Sequence, residues 1–304
     1  MRLALGIAAF GGGLWLLVES VEGLITSLRA YALAAGLSGV LVGALVLGFD
    51  LESTAAGVAA TLDDLPGTAL GASVGAAIFL MTVGLGVAGL IAPFSVRPPV
   101  TLLAAGAIAT ALAILLAADG QLSRLDGALL LAAFFPLVAA VVVLRRSKTM
   151  AAAQQRPELP RFVVITVVCG LAGLIIGAEL LVFGTQRIVS GLGFSETVFG
   201  LLIVGAAVSF EEVVLEALPA FRGFPELSVG NALGTLVFLL TGSLGVIVLA
   251  RPIDVPAAVV DYHLPALGLT VLLAGAMLAR GRMGRVEGSV LVLAYAGYAV
   301  GALL

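Results

Sequence analysis

The stretch from Gly205 to Gly223 reads "GAAVSFEEVVLEALPAFRG" and sets Glu211, Glu212 and Glu216 within six residues of an otherwise apolar run. A second acidic stretch, "GFDLESTAAG" from Gly48 to Gly57, carries Asp50, Glu52, Ser53 and Thr54. Together they offer four carboxylates (Asp50, Glu52, Glu211, Glu212) and the hydroxyls of Ser53, Thr54 and Ser209. Asn231 and Thr235, in "GNALGTLVF" from Gly230, add two more oxygen donors. Oxygen-only donor sets suit hard cations, and Ca²⁺ takes six to eight oxygens in a flexible shell. An ionised side chain at a bilayer centre costs roughly 2.5–3.5 kcal/mol on insertion scales. Several together stay charged only in company, because like charges at close range disfavour one another. Such a group holds protons or a cation and exchanges one for the other, which is the chemistry of an antiporter. The bland reading of the same residues is a set of protonated acids bonding helix to helix.

The elements that position these acids follow from composition. The chain has 304 residues, 61% of them apolar and 11% charged, with a net charge of −3. Apolar runs of about 20 residues, enough to cross a bilayer core as helix, follow one another. Barrel strands would alternate apolar and polar residues, and these runs do not. The expected fold class is therefore an all-α polytopic membrane protein. Ten spans are expected, near 3–25, 38–60, 68–92, 99–117, 125–144, 161–186, 196–219, 227–250, 257–279 and 286–303. Met1-Arg2 opens the first span rather than a cleaved leader. The longest polar interruption, "RRSKTMAAAQQRPELPR" from Arg145 to Arg161, divides the chain into a first half (1–144), a cytoplasmic linker (145–160) and a second half (161–304). With that linker in the cytoplasm, eleven of the fifteen basic residues fall inside and Arg2, Arg124, Arg187 and Arg251 outside. Basic residues favour the cytoplasmic side, so the expectation is a multi-pass cell-membrane protein with both termini outside.

The halves repeat. With an offset of 159 residues, Glu52–Pro93 pairs with Glu211–Pro252 without a gap, and twelve of 42 positions are identical. Aliphatic composition alone gives about four matches. Glu52/Glu211, Pro66/Pro225, Phe79/Phe238 and Pro93/Pro252 carry most of the weight, because these residue types are uncommon here. Five spans per half invert the second half relative to the first. Transporters of that build bind their cargo near the midplane, where the repeats meet.

Other residues read more plainly. Cys169 is the single cysteine, so no intrachain disulfide forms, and a small buried hydrophobe is expected there. Glu19, Glu22 and Glu179 read as packing or mouth residues, His263 as an interfacial one, and Trp15 as a packing or interfacial aromatic. Glu216 shares a face with Glu212, one turn nearer the cytoplasm. It either lines an entry path or pairs with Arg222. Intramembrane proteolysis is excluded for want of a second mid-span Asp and of the H-E-x-x-H motif that zinc chemistry needs. No cofactor, nucleic-acid partner or enzymatic role is expected, and the oligomeric state is open.

The second half resembles the cation/calcium exchanger superfamily, its sodium/calcium exchanger group in particular. "GFSETVFG" (Gly193–Gly200) is similar to the group's G-I-S-[DE]-x-V-I-G block. Residues 207–212 stand at its G-T-S-x-P-E motif, and Gly230–Thr235 at its G-N-x-x-G-S motif. "GLSGVLVG", "GFDLES" and "GASVGA" match more weakly in the first half. The resemblance implies ten helices in two inverted five-helix halves, exchanging Ca²⁺ for Na⁺ or H⁺ by alternating access. The motif glutamate falls on Glu212 and Ser53, and the motif proline on Glu211 and Glu52. The motif threonine becomes Phe49 and Val208, and a further polar ligand position becomes Leu80 and Leu239. The lost hydroxyls argue against a full set of Na⁺ sites and favour H⁺ coupling. Without the motif prolines, the second span of each half is expected to be less kinked.

Overall fold

The computed structural model describes residues 2–35, 37–149, 163–190 and 205–302, and these are mostly helical. α1 (Arg2–Ala35) is followed by α2 (39–47), which is α-helical over Gly39–Val42 and π-helical over Gly43–Leu47. α3 (Leu51–Leu62), α4 (Pro66–Ile91), α5 (Val100–Ala117) and α6 (Arg124–Thr149) follow. After residues 150–162 come α7 (Val163–Ser190), α8 (Gly205–Phe221), α9 (Pro225–Ala250), α10 (Val259–Arg280) and α11 (Arg285–Ala302). Among the described residues, eight runs are long and apolar enough to cross a membrane, with α2 and α3 counted as one. α8 and α11 are not among the eight. The expected start of the α8 span, 196–204, lies outside the described residues.

The chain is a helical membrane protein, and its surface bears this out. Large aliphatic side chains such as Leu115 (72% exposed) and Leu272 (70%) point away from the protein, where lipid solvates them. Lipid tails are as apolar as leucine, so helices associate here through close packing rather than through escape from water. α1 lies along α7 with Leu17, Val21 and Leu24 against Leu174 and Leu181. A larger core joins Leu41, Ile78, Met81, Leu233 and Leu267 of α2, α4, α9 and α10. Where α2 crosses α9, Gly43 and Gly230 bring the two backbones so close that a methyl group on either would strike main-chain atoms.

Features paired by the 159-residue offset recur in space. Pro66 and Pro225 each open a helix, where a missing N–H costs nothing. π turns interrupt α4 at Leu80–Gly84 and α9 at Phe238–Ser243. Thr82 donates to the carbonyl of Ile78 and Thr241 to that of Val237, both at 2.5 Å. Two short antiparallel contacts tie the connections together. β1 (Gln121–Leu122) pairs with β2 (Ile253–Asp254), and Phe94 bridges Met283. Phe94 and Ile253 each follow one of the equivalent prolines, Pro93 and Pro252. The two contacts lie beyond opposite ends of α5.

Two expectations are corrected. The second span of the first half is not less kinked: it breaks at Gly48-Phe49-Asp50, between α2 and α3. The break needs no proline. Asp50 leaves helical geometry (φ −85°, ψ 81°), and its Oδ1 accepts from the Ser53 N–H at 2.8 Å, capping α3. Cys169 is exposed rather than buried. α7 meets α1 through Gly170, Gly173 and Gly177, and Cys169 falls on another face.

Candidate cation site

The carboxylates stand at the start of α3 and on α8, within electrostatic reach of one another. Asp50 occupies the break, half-buried, with one oxygen engaged in the cap. Thr54 donates to the Asp50 carbonyl at 2.9 Å, which leaves its hydroxyl lone pairs free to accept. Glu52 stands exposed in the first turn of α3, close enough to Asp50 and Glu179 to feel their charge. Ser53 is half-buried beside it. On α8, Glu211 lies in range of Glu52 and Asp50. Glu212 lies in range of Asp50, Glu211, Glu216 and Glu52. Asp50 and Glu52 are therefore within electrostatic reach of Glu211 and Glu212, although Glu52 and Glu211 stand 159 residues apart in the chain. Ser209 is within the described α8 backbone, but its side chain lies outside the described residues.

The arrangement is loose. Among the described residues no three Asp, Glu, His or Cys side chains converge as a ready metal cage. The break at Gly48–Asp50 ends one helix and starts the next, and the last carbonyls of a helix lack intrahelical partners.

Asn231 and Thr235 of α9 are buried. Asn231 Nδ2 donates to Glu216 Oε1 at 2.8 Å, and Thr235 donates to Asn231 Oδ1 at 3.4 Å. Of the two readings of Glu216, the pair with Arg222 does not form. Arg222 pairs instead with Glu22 of α1, and Glu216 turns inward, fully buried. The positions where the resemblance implied further polar ligands carry apolar side chains. Leu80 and Leu239 are packed in the core, and Phe49 forms an aromatic cluster with Phe134 and Phe238 (ring centroids 5.9 and 5.1 Å away).

Sequence reasoning missed Tyr295 of α11. It lies near Glu212 and packs edge-on to Phe79 at 5.4 Å. Neighbouring Tyr298 meets His263 Nδ1 at 2.8 Å and accepts at its carbonyl from Tyr262 at 2.7 Å. The spacing of three between Tyr295 and Tyr298 was the available signal, since it puts both on one helix face.

Comparison with known proteins gives the following. The sodium/calcium exchanger protein family matches residues 5–143 and 162–304. CaxA of Alkalimonas amylolytica, which carries the name of an antiporter, is 28% identical over 94% of this chain and 95% of its own length. The uncharacterised membrane protein MJ0091 of Methanocaldococcus jannaschii is 26% identical over 80% of this chain and 82% of its own. A solved structure of the sodium-calcium exchanger NCX_Mj, soaked with neither Na⁺ nor Ca²⁺, superposes with a TM-score of 0.86 over 99% of this chain and 100% of its own. At 23% identity that likeness speaks for the fold.

Proposed function

Because the chain belongs to the sodium/calcium exchanger family, we propose that it is a secondary active cation antiporter, exchanging Ca²⁺ or a related cation for Na⁺ or H⁺ by alternating access. The observation that carries this reading is that Asp50 and Glu52 at the start of α3 lie within electrostatic reach of Glu211 and Glu212 on α8. Four acids gathered in a membrane protein repel one another, and a visiting cation or proton relieves the repulsion. The ligands assigned to the cargo are Asp50, Glu52, Ser53, Ser209, Glu211, Glu212, Asn231 and Thr235, used in subsets. An ion near Glu212 draws on α8 and on the broken end of α2–α3, whose orphan carbonyls suit a cation. The arrangement proposed around this site is two inverted five-helix halves, 1–144 and 161–304, joined by a cytoplasmic linker at 145–160, with both termini outside.

A second reading has a specific observation in its favour. Leu80 and Leu239 fill the places of two polar ligands, which suits a channel-like or non-transporting protein that keeps the exchanger fold. Reconstituted flux separates the two. In proteoliposomes carrying Ca²⁺, Na⁺, K⁺, Mn²⁺ or pH gradients, the antiporter takes up a cation only against a counter-ion and saturates. Uptake that ignores the counter-ion, or no uptake under any gradient, refutes the antiporter.

A further inference from the structure

Glu216 is the one buried ionisable residue among the described residues, with no exposed surface. Oε1 is engaged by Asn231, but Oε2 has no hydrogen-bond partner among the described residues. Ser228 Oγ is likewise buried and unpartnered. Ser228, Asn231 and Thr235 follow the i, i+3, i+7 spacing of a single helix face. They form a polar stripe along α9. The opposite wall is apolar: Gly84 of α4 lies so close that a Cβ there would stand 3.1 Å from Glu216 Cγ, and Ala88, Ala217 and Ala220 pack nearby. A carboxylate in such surroundings, half-satisfied, is costly unless something positive completes it.

The first half shows what the same place looks like without that chemistry. Under the 159-residue offset, Glu216, Ser228, Asn231 and Thr235 correspond to Gly57, Ala69, Ala72 and Ala76. The contact is equivalent too: a Cβ on Gly57 would lie 3.4 Å from that of Ala72, as Glu216 meets Asn231. There the Ile247 side chain fills the space over Gly57. Four polar residues thus stand together in one half, where the other half has Gly and Ala. A single hydrogen bond between helices would need two.

We propose that Glu216, Ser228 and Asn231 form a second cation site, one helical turn (about 6 Å) from Glu212 on the Arg222 side, and that it takes Na⁺. The site offers one negative charge and otherwise neutral oxygens. A singly charged ion cancels that charge, whereas a divalent one would leave a net positive charge buried. Glu216 Oε2 and Ser228 Oγ are its free ligands, and Asn231, held by Thr235, fixes the carboxylate and links the site to the central acids. This rests on the antiporter reading for the role of the ion as a coupling ion, though not for its binding.

The test is NaCl titration calorimetry on the purified full chain, free of Ca²⁺ at fixed pH, with choline chloride holding ionic strength. Glu216→Gln keeps the shape and removes the charge, and is expected to weaken Na⁺ binding at least tenfold. Ser228→Ala is expected to weaken it at least threefold, and decides the matter should Glu216→Gln fail to fold. Ca²⁺ binding by both variants should stay within twofold of the parent. Na⁺ affinity unchanged in the variants, or no Na⁺ binding by the parent, overturns the proposal and leaves Glu216 a protonated packing acid. Equal losses for Na⁺ and Ca²⁺ also overturn it, by merging Glu216 with the central site. Glu216-dependent Na⁺ binding without exchange in the flux assay upholds this site and refutes the antiporter. Exchange with Na⁺ binding indifferent to Glu216 does the reverse.

Discussion

At the scale of single residues, the central acids differ in what else they do. Among the described residues Glu212 and Glu52 make no side-chain hydrogen bond, so their charge is available to a guest. Glu212→Gln and Glu52→Gln are each expected to cut counter-ion-dependent uptake by more than a hundredfold, while the protein still inserts and purifies as a single species. Uptake near the parent rate in both would remove these residues from the site. Asp50 has two roles that can be separated. It caps α3 through Ser53, and asparagine caps as well as aspartate does. Asp50→Asn should therefore keep stability and lose transport, whereas Asp50→Ala should lose both, with about 1 kcal/mol of stability gone. Thermal unfolding beside flux reads the two apart. The proposed central acids stand out in the sequence, because ionisable residues are rare in apolar runs and Glu52 recurs at the repeat offset as Glu211. The inward turn of Glu216 was not. Arg222 offered it a partner six residues on, and only the tertiary fold shows that α1 brings Glu22 to claim that arginine.

At the scale of elements, the break in the second span decides where Asp50 stands. It depends on Gly48, where a Cβ would lie 2.8 Å from the Gly234 carbonyl carbon and 2.9 Å from the Thr235 nitrogen. Those are backbone atoms, which cannot step aside as a flexible side chain would. Gly48→Val is expected to push the α2–α3 junction off α9, destabilising by about 1–3 kcal/mol and lowering transport more than tenfold. A glycine-tolerant site, with flux and melting temperature both unchanged, would show that the junction does not set the ligand geometry. This break was hidden in the sequence because absent prolines suggested a straighter helix, while a capping aspartate two residues after a glycine broke it just as well. The exposure of Cys169 was hidden for a related reason. In a lipid-facing helix nearly every residue type is apolar, so composition does not reveal which face is covered by protein.

At the scale of the whole molecule, the expected orientation can be tested directly. Asp119 and Arg282 are both exposed, on connections assigned to opposite sides. In a Cys169→Ala background, a membrane-impermeant thiol reagent added outside intact cells should label Asp119→Cys and spare Arg282→Cys. The opposite pattern would invert the assignment. The membrane class and the repeat were plain from the sequence, since hydropathy and an ungapped offset are long-range signals that single substitutions barely disturb. The partnering of the connections was not, because two-residue strands leave no periodicity to read.

Those short strands have a consequence for how the chain is completed. Phe94 finds its backbone partner in Met283, and Leu122 finds its own in Ile253. Each half lends the other an edge and owns neither seam alone. A gene severed between codons 150 and 160 should therefore yield two fragments that co-purify when expressed together and are degraded when expressed apart. Survival of either fragment alone in quantity would mean that the seams are ornamental.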